Sequence, residues 1–79
     1  MNNNAVLIDI ICKILLLEEN QISDTLARDD VEEWDSMSHL VLISECENTF
    51  NVSFSDDEVV EMQTIGDLKQ TLTNHNIDL

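Results

Sequence analysis

DSMSHLVLISECENTF, residues 35–50, has the period of an α-helix. His39, Leu42, Ile43, Cys46 and Phe50 fall on one face at three- and four-residue spacing. Met37, Leu40, Val41 and Ser44 fall on an adjacent face. Glu45 and Asn48 point away, and Glu47 lies toward the flank. Ser36 is a residue type that caps helix starts, so the helix is expected to open on Ser36 as its N-cap and to stop near Asn51. One small core needs only one fully apolar face. Met37, Leu40 and Val41 are therefore expected to form a half-exposed patch beside Ser36, with ordinary core packing as the alternative.

Upstream, residues 19–35 (ENQISDTLARDDVEEWD) form a long polar and acidic connection. A connection of this length needs anchors or a function, and its spaced apolar residues Ile22, Leu26, Val31 and Trp34 are the expected anchors. Before it, residues 5–18 (AVLIDIICKILLLE) are apolar almost all round, with Asp9 and Lys13 marking a thin polar stripe. This run is read as a helix rather than a buried strand, because no second strand is available to pair with it. Its outer side either packs inward, which is the expectation, or faces a partner or a second copy. Residues 1–4 are polar and expected to fray.

Downstream, residues 52–54 make a short extended link. Ser55 to Glu58 spell a capping box before a short helical piece, residues 58–62. Thr64 caps a last helix over residues 65–73, with Ile65, Leu68 and Leu72 on one face. Gly66 in its first turn counts as a mild weakness, and the tail from residue 75 to 79 is expected to be loose, with packing of Ile77 as the alternative. The pattern gives an all-α, four-helix bundle, long, long, short and medium, in one domain over residues 1–79.

Composition supports that outline and narrows the function. The chain has 79 residues with 17 acids against 3 bases, a net charge of −14. Such a surface repels nucleic-acid phosphates and anionic membranes, and it favours partners with basic patches. A hydrophobic share of 43% is too high for a disordered acidic tail. Pro is absent and Gly occurs once, which disfavours an all-β fold rich in tight turns. No apolar run is long enough to span a bilayer. The opening Met-Asn-Asn-Asn lacks the positive start of a secretion signal. The expectation is therefore a cytoplasmic protein, and a monomer, with Cys12 and Cys46 as free thiols.

Catalytic and metal signatures are missing from the sequence. His39 and His75 sit in no ligand-spaced cluster, and Asp56-Asp57-Glu58 has none of the spacing of a calcium loop. No phosphate-binding glycine loop or nucleophile elbow occurs. An enzyme is not expected, and neither is a bound metal. Asp35-Ser36 at the start of the second long helix is different, because a phosphate ester at a helix N-terminus is favoured by free backbone N–H groups and by the helix dipole. On the dipeptide alone, a plain capping serine is the better explanation.

The wider context, DVEEWDSMSHL over residues 30–40, closely resembles the acyl carrier protein family. So do Glu45, Glu47, Phe50 and Val52 after it, and Thr64-Ile65-Gly66-Asp67-Leu68 near the end. The resemblance extends over roughly residues 5–75. It implies that Ser36 carries a 4′-phosphopantetheine arm supplied from coenzyme A by a phosphopantetheinyl transferase. It implies also that Asp35 helps that transferase engage, and that the arm holds acyl groups as thioesters and shuttles them between enzymes. An acyl-loading ligase or acyltransferase and downstream enzymes with basic surfaces would then be the partners. Met37, Leu40 and Val41 would meet them, within an acidic rim of Glu45, Glu47, Asp56, Asp57, Glu58 and Glu61. Met37 stands where the family usually has leucine, and Ser38 and Val41 where fatty-acid carriers usually place acids. Those departures point to a specialised pathway (polysaccharide, polyketide or amino-acyl loading) rather than general fatty-acid synthesis. The competing readings are an aminoacyl or peptidyl carrier and an acidic interaction module that is never modified. Cargo would contact Ile43, Phe50, Ile65 or Leu68 if it enters the core, or remain outside.

The charge imbalance makes a prediction of its own. Self-repulsion among 17 acids and 3 bases should weaken the fold at low ionic strength. The melting temperature is expected to rise from low to moderate salt, and an unchanged value would show that repulsion does not limit stability.

Overall fold

The computed structural model describes residues 2–79. The described residues form four α-helices: α1 (Asn3–Leu15), α2 (Ser36–Phe50), α3 (Asp56–Glu61) and α4 (Ile65–Asn74). Two single turns of 3-10 helix, Glu19–Gln21 and Arg28–Asp30, punctuate the long first connection. The order long, long, short, medium is the one the sequence pattern predicts.

Each helix starts on a side-chain cap. Asn2 accepts the Ala5 N–H at 2.7 Å and opens α1. The helix thus begins inside the polar stretch expected to fray, of which only Met1 lies outside the described residues. Ser55 and Thr64 head α3 and α4, each in a capping box closed by Glu58 and Asp67 respectively. The cap of α2 differs from expectation. Asp35, not Ser36, is extended (φ −89°, ψ −176°) and accepts the Ser38 N–H at 2.8 Å, so Ser36 is the first residue inside the helix.

The first helix also stops three residues short of expectation. Leu16 adopts a left-handed conformation (φ 56°), and both its own N–H and that of Leu17 return to the Cys12 carbonyl. That turn leaves Leu16 76% exposed and folds Leu17 back against the core. Asn51 closes α2 in the same way (φ 55°), with a residue that tolerates this conformation.

The core gathers Leu7, Ile10, Ile11 and Leu15 from α1, Leu42, Ile43 and Cys46 from α2, Met62 after α3, and Ile65, Leu68 and Leu72 from α4. Apolar α1 therefore packs inward, with Val6 and Ile14 half-buried. The latter two, with Ile10 and Val41, line an open groove of about 420 Å3 between α1 and α2. The four expected anchors hold the connection. Val31 and Trp34 are buried, and Ile22 and Leu26 pack half-buried against the core. The tail is not loose in the structure: Ile77 and Leu79 pack on the core, the Ile77 N–H donates to Leu72, and the Asn3 amide reaches the Asp78 carbonyl. Both thiols are free, and burial pushes the Cys46 thiol up to about 12.

A backbone seam ties the connection to the start of α4. The N–H groups of Arg28, Ile65 and Gly66 donate to the carbonyls of Gln63, Leu26 and Asp24 at 2.9, 3.0 and 2.8 Å. Lys69 adds an ion pair to Asp24 at 2.8 Å, which is worth little where it is exposed. Gly66 is the residue that allows the close approach, since a Cβ there would lie 2.9 Å from the Asp24 carbonyl oxygen. What reads in sequence as a weak helix position is a packing requirement. Helix propensity alone favours Gly66→Ala by about 1 kcal/mol, whereas overpacking against fixed backbone costs about 1–3 kcal/mol. A lower urea midpoint for Gly66→Ala is the expected result, and a higher one would show that the seam yields.

Candidate functional site

The N-terminal end of α2 is built by contrast between neighbours. Trp34 is 2% exposed and His39 4%, while Asp35, Ser36 and Met37 between them are exposed. The chain dives into the core at Trp34, surfaces for one turn, and dives again at His39.

Capping by Asp35 has a chemical consequence. A serine acting as N-cap spends its hydroxyl on a backbone N–H. Here the Asp35 carboxylate takes the Ser38 N–H, and the Asp35 carbonyl takes that of His39 at 2.9 Å. Ser36 is relieved of capping and points its side chain from the first turn of a helix, whose leading amides have no intrahelical acceptor and whose dipole favours an anion. The Ser38 N–H holds the Asp35 carboxyl below its usual range despite full exposure, so it is ionised throughout the neutral range.

Met37, Leu40 and Val41 are 77, 62 and 50% exposed, and their three- and four-residue spacing puts them on one side of α2. Val60 on α3, which the sequence pattern did not single out, is equally bare at 69%. Large apolar side chains left in water beside one another are candidates for a contact surface.

The acidic residues divide into two sets. Glu45, Asp56, Asp57 and Glu61 are exposed and contribute to the surface field. Glu47 and Glu58 are half-buried and hold the fold. The Glu47 carboxylate accepts the Phe54 N–H at 2.8 Å, closing the turn after α2. Glu58 accepts the Ser55 N–H at 2.9 Å and meets His75 Nε2 at 2.8 Å. The first of these bonds, then His75, holds its carboxyl below the usual range. Ile43, Ile65 and Leu68 are buried and Phe50 is half-buried.

The Trp34–His39 pair is the part of the site that sequence reasoning did not identify. Trp34 Nε1 donates to His39 Nδ1 at 3.0 Å, and His39 Nε2 lies 2.8 Å from the Val59 carbonyl oxygen. The available signal was chemical: a buried indole N–H requires an acceptor, and His39 is the one polar residue on the inner face of the helix that follows.

Taken together, these features describe a small acidic helical bundle with an exposed serine in the first turn of α2, beside exposed apolar side chains. The phosphopantetheine attachment site family matches residues 5–72, and the chain belongs to that family. Among curated proteins the chain has no significant match. Family members are carriers rather than catalysts and bear a covalently attached 4′-phosphopantetheine. They engage phosphopantetheinyl transferases and acyl-handling enzymes. An exposed serine free of capping duty, at a helix N-terminus, fits a phosphodiester-linked group. No helix among the described residues is long and apolar enough to cross a membrane.

The Asp35 cap is separable from its charge. Because its folded-state carboxyl titrates below the unfolded value, the cap's contribution is complete above about pH 4 and is lost as pH falls through the lowered folded value. Asp35→Ala is expected to lower the melting temperature at neutral pH, and Asp35→Asn, which still caps, to lower it much less. Equal losses in differential scanning calorimetry would show that charge, not capping, holds the corner.

Proposed function

We propose that Ser36 is the attachment residue: its hydroxyl oxygen bonds to the phosphorus of 4′-phosphopantetheine and coenzyme A loses that phosphoryl arm, with adenosine 3′,5′-bisphosphate leaving. Asp35 presents an ionised carboxylate to the transferase beside that hydroxyl. The arm, once attached, supplies a thiol that carries acyl groups as thioesters. The chain's own residues do the rest. They hold Ser36 out on a rigid corner, offer Met37, Leu40 and Val41 for apolar contact, and steer basic partners with Glu45, Asp56, Asp57 and Glu61. Glu47 and Glu58 belong to the same acidic rim in charge, although their carboxylates also serve internal bonds.

The observation that carries this reading is the division of labour at residues 35 and 36. Aspartate caps, and serine is left exposed and uncommitted. An acidic interaction module that is never modified has no use for that arrangement.

The same surface supports a narrower reading of the partners. The first two turns of α2 expose Met37, Leu40 and Val41, and Ser38 and Val41 stand where fatty-acid carriers usually place acids. A loading ligase or acyltransferase with an apolar socket and a basic margin fits it better than a uniformly basic one. Acyl cargo in a specialised cytoplasmic pathway is the proposed use, with an aminoacyl cargo as the variant of the same mechanism.

Incubation with coenzyme A, magnesium and a broad-specificity phosphopantetheinyl transferase is the test. The intact mass is expected to rise by one phosphopantetheine in the parent and not in Ser36→Ala. A folded parent that gains nothing, or a Ser36→Ala chain that still gains, would refute the assignment.

A further inference from the structure

Trp34 and His39 flank the attachment corner and take no part in the steps just described. Their protonation states are nonetheless fixed by their partners. An indole nitrogen only donates, so His39 Nδ1, 3.0 Å from Trp34 Nε1, must carry a lone pair. A carbonyl oxygen only accepts, so Nε2, 2.8 Å from the Val59 oxygen, must carry the proton. The ring is a neutral Nε2–H imidazole with both nitrogens satisfied, inside a site that is 4% exposed.

These two bonds join three separate pieces of the chain. Trp34 belongs to the first connection and is two residues from Ser36. His39 is on α2, and Val59 on α3 next to the exposed Val60. We propose that His39 is a positioning residue of the carrier site: its neutral ring clasps the connection to α2 and α2 to α3, and a proton taken up at Nδ1 breaks the clasp to Trp34 while Nε2–H keeps its bond to the Val59 carbonyl. The functional half of this proposal rests on the reading of Ser36, whereas the clasp does not.

The consequence of protonation follows from donor counting. An imidazolium presents a second N–H at Nδ1, opposite an indole that has nothing to accept it with, and the buried Trp34 donor loses its partner. Only the Val59 carbonyl, which an imidazolium still meets through Nε2–H, favours the charged ring. Arg28 in the connection opposes a second positive charge. On α2 the Asp35 carboxylate is committed to the Ser38 N–H and that of Glu47 to the Phe54 N–H. On α3, Glu58 is committed to Ser55 and His75, while Glu61 is exposed and the group facing the ring is a carbonyl. Burial, the largest influence, holds the ring below the usual histidine range, with the Val59 bond working the other way. The unfolded chain takes the proton near about pH 6.5, and the folded chain only below that. Stability is therefore complete above that value and falls as pH drops toward the lowered folded value.

The test begins with wild-type protein that has not been loaded. Long-range ¹H–¹⁵N spectra at neutral pH should show His39 as the Nε2–H tautomer, titrating below an ordinary histidine. His39→Gln is the matched variant, since its amide offers an acceptor and a donor but takes no proton. Hydrogen exchange of the Trp34 indole, taken as the ratio of wild type to His39→Gln at each pH, should rise on acidification by up to about tenfold per pH unit between the two values, while the α3 amides, on the side of the bond that survives, should show no such rise. The wild-type loading rate at Ser36, relative to the same variant, should change over the same interval. An Nδ1–H tautomer, a titration at or above the ordinary value, or an indole exchange ratio that stays flat would each overturn the clasp. The spectra alone decide the matter if His39→Gln does not fold. A clasp that titrates as described in a chain that never loads would uphold it and refute the Ser36 reading instead.

Discussion

The burial of Trp34 two residues before Ser36 is the constraint on which the rest of the structure depends. An indole that sinks to 2% exposure drags its segment of the acidic connection onto the core. The chain can then return to the surface for only one turn before His39 goes under on α2. That single exposed turn holds Asp35, Ser36 and Met37. Its shape is set from both sides: by the indole bond to His39 beneath it, and by the Asp35 carboxylate closing on the Ser38 N–H above it. A reactive serine in a mobile loop would have to be ordered at each encounter, at a cost in conformational entropy. Here the fold has ordered it beforehand.

The connection leading to that corner is long, yet little of it floats. Its middle is tied by backbone bonds to the start of α4, where Gly66 alone admits the Asp24 carbonyl. α4 is in turn headed by Thr64 and Asp67, and its far end is continued by a tail that packs Ile77 and Leu79. Placement of the candidate site is thus a property of the whole bundle, although Asp35, Ser36 and Met37 come from one short segment.

What the sequence made legible follows from periodicity and local chemistry. Three- and four-residue spacing identified His39, Leu42, Ile43 and Cys46 as the inner face of α2, and left Met37, Leu40 and Val41 over. The box at Ser55–Glu58 and the cap at Thr64 marked two helix starts. The illegible parts are those decided by tertiary geometry. Asp35 and Ser36 are both good capping residues, and only the path imposed by Trp34 selects Asp35. Leu16 ends α1 in a left-handed turn that no glycine announces. Glu47 looks like a surface acid until the backbone N–H group of Phe54 arrives beside it. Gly66 reads as a flaw because the Asp24 carbonyl that needs it comes from 42 residues earlier in the chain.

If Ser36 is the attachment residue, it is the one serine of the chain that takes the arm. Cleavage of the loaded protein after Glu33 and Glu45 releases WDSMSHLVLISE, residues 34–45, which contains Ser36, Ser38 and Ser44. Ser36 is exposed in the first turn and Ser38 is half-buried beneath the Asp35 cap, while Ser44 is exposed more than two turns along the helix. Fragmentation of that peptide by mass spectrometry should place the whole phosphopantetheine mass on Ser36. Modification on Ser38 or Ser44, or on a peptide from elsewhere in the chain, would contradict it.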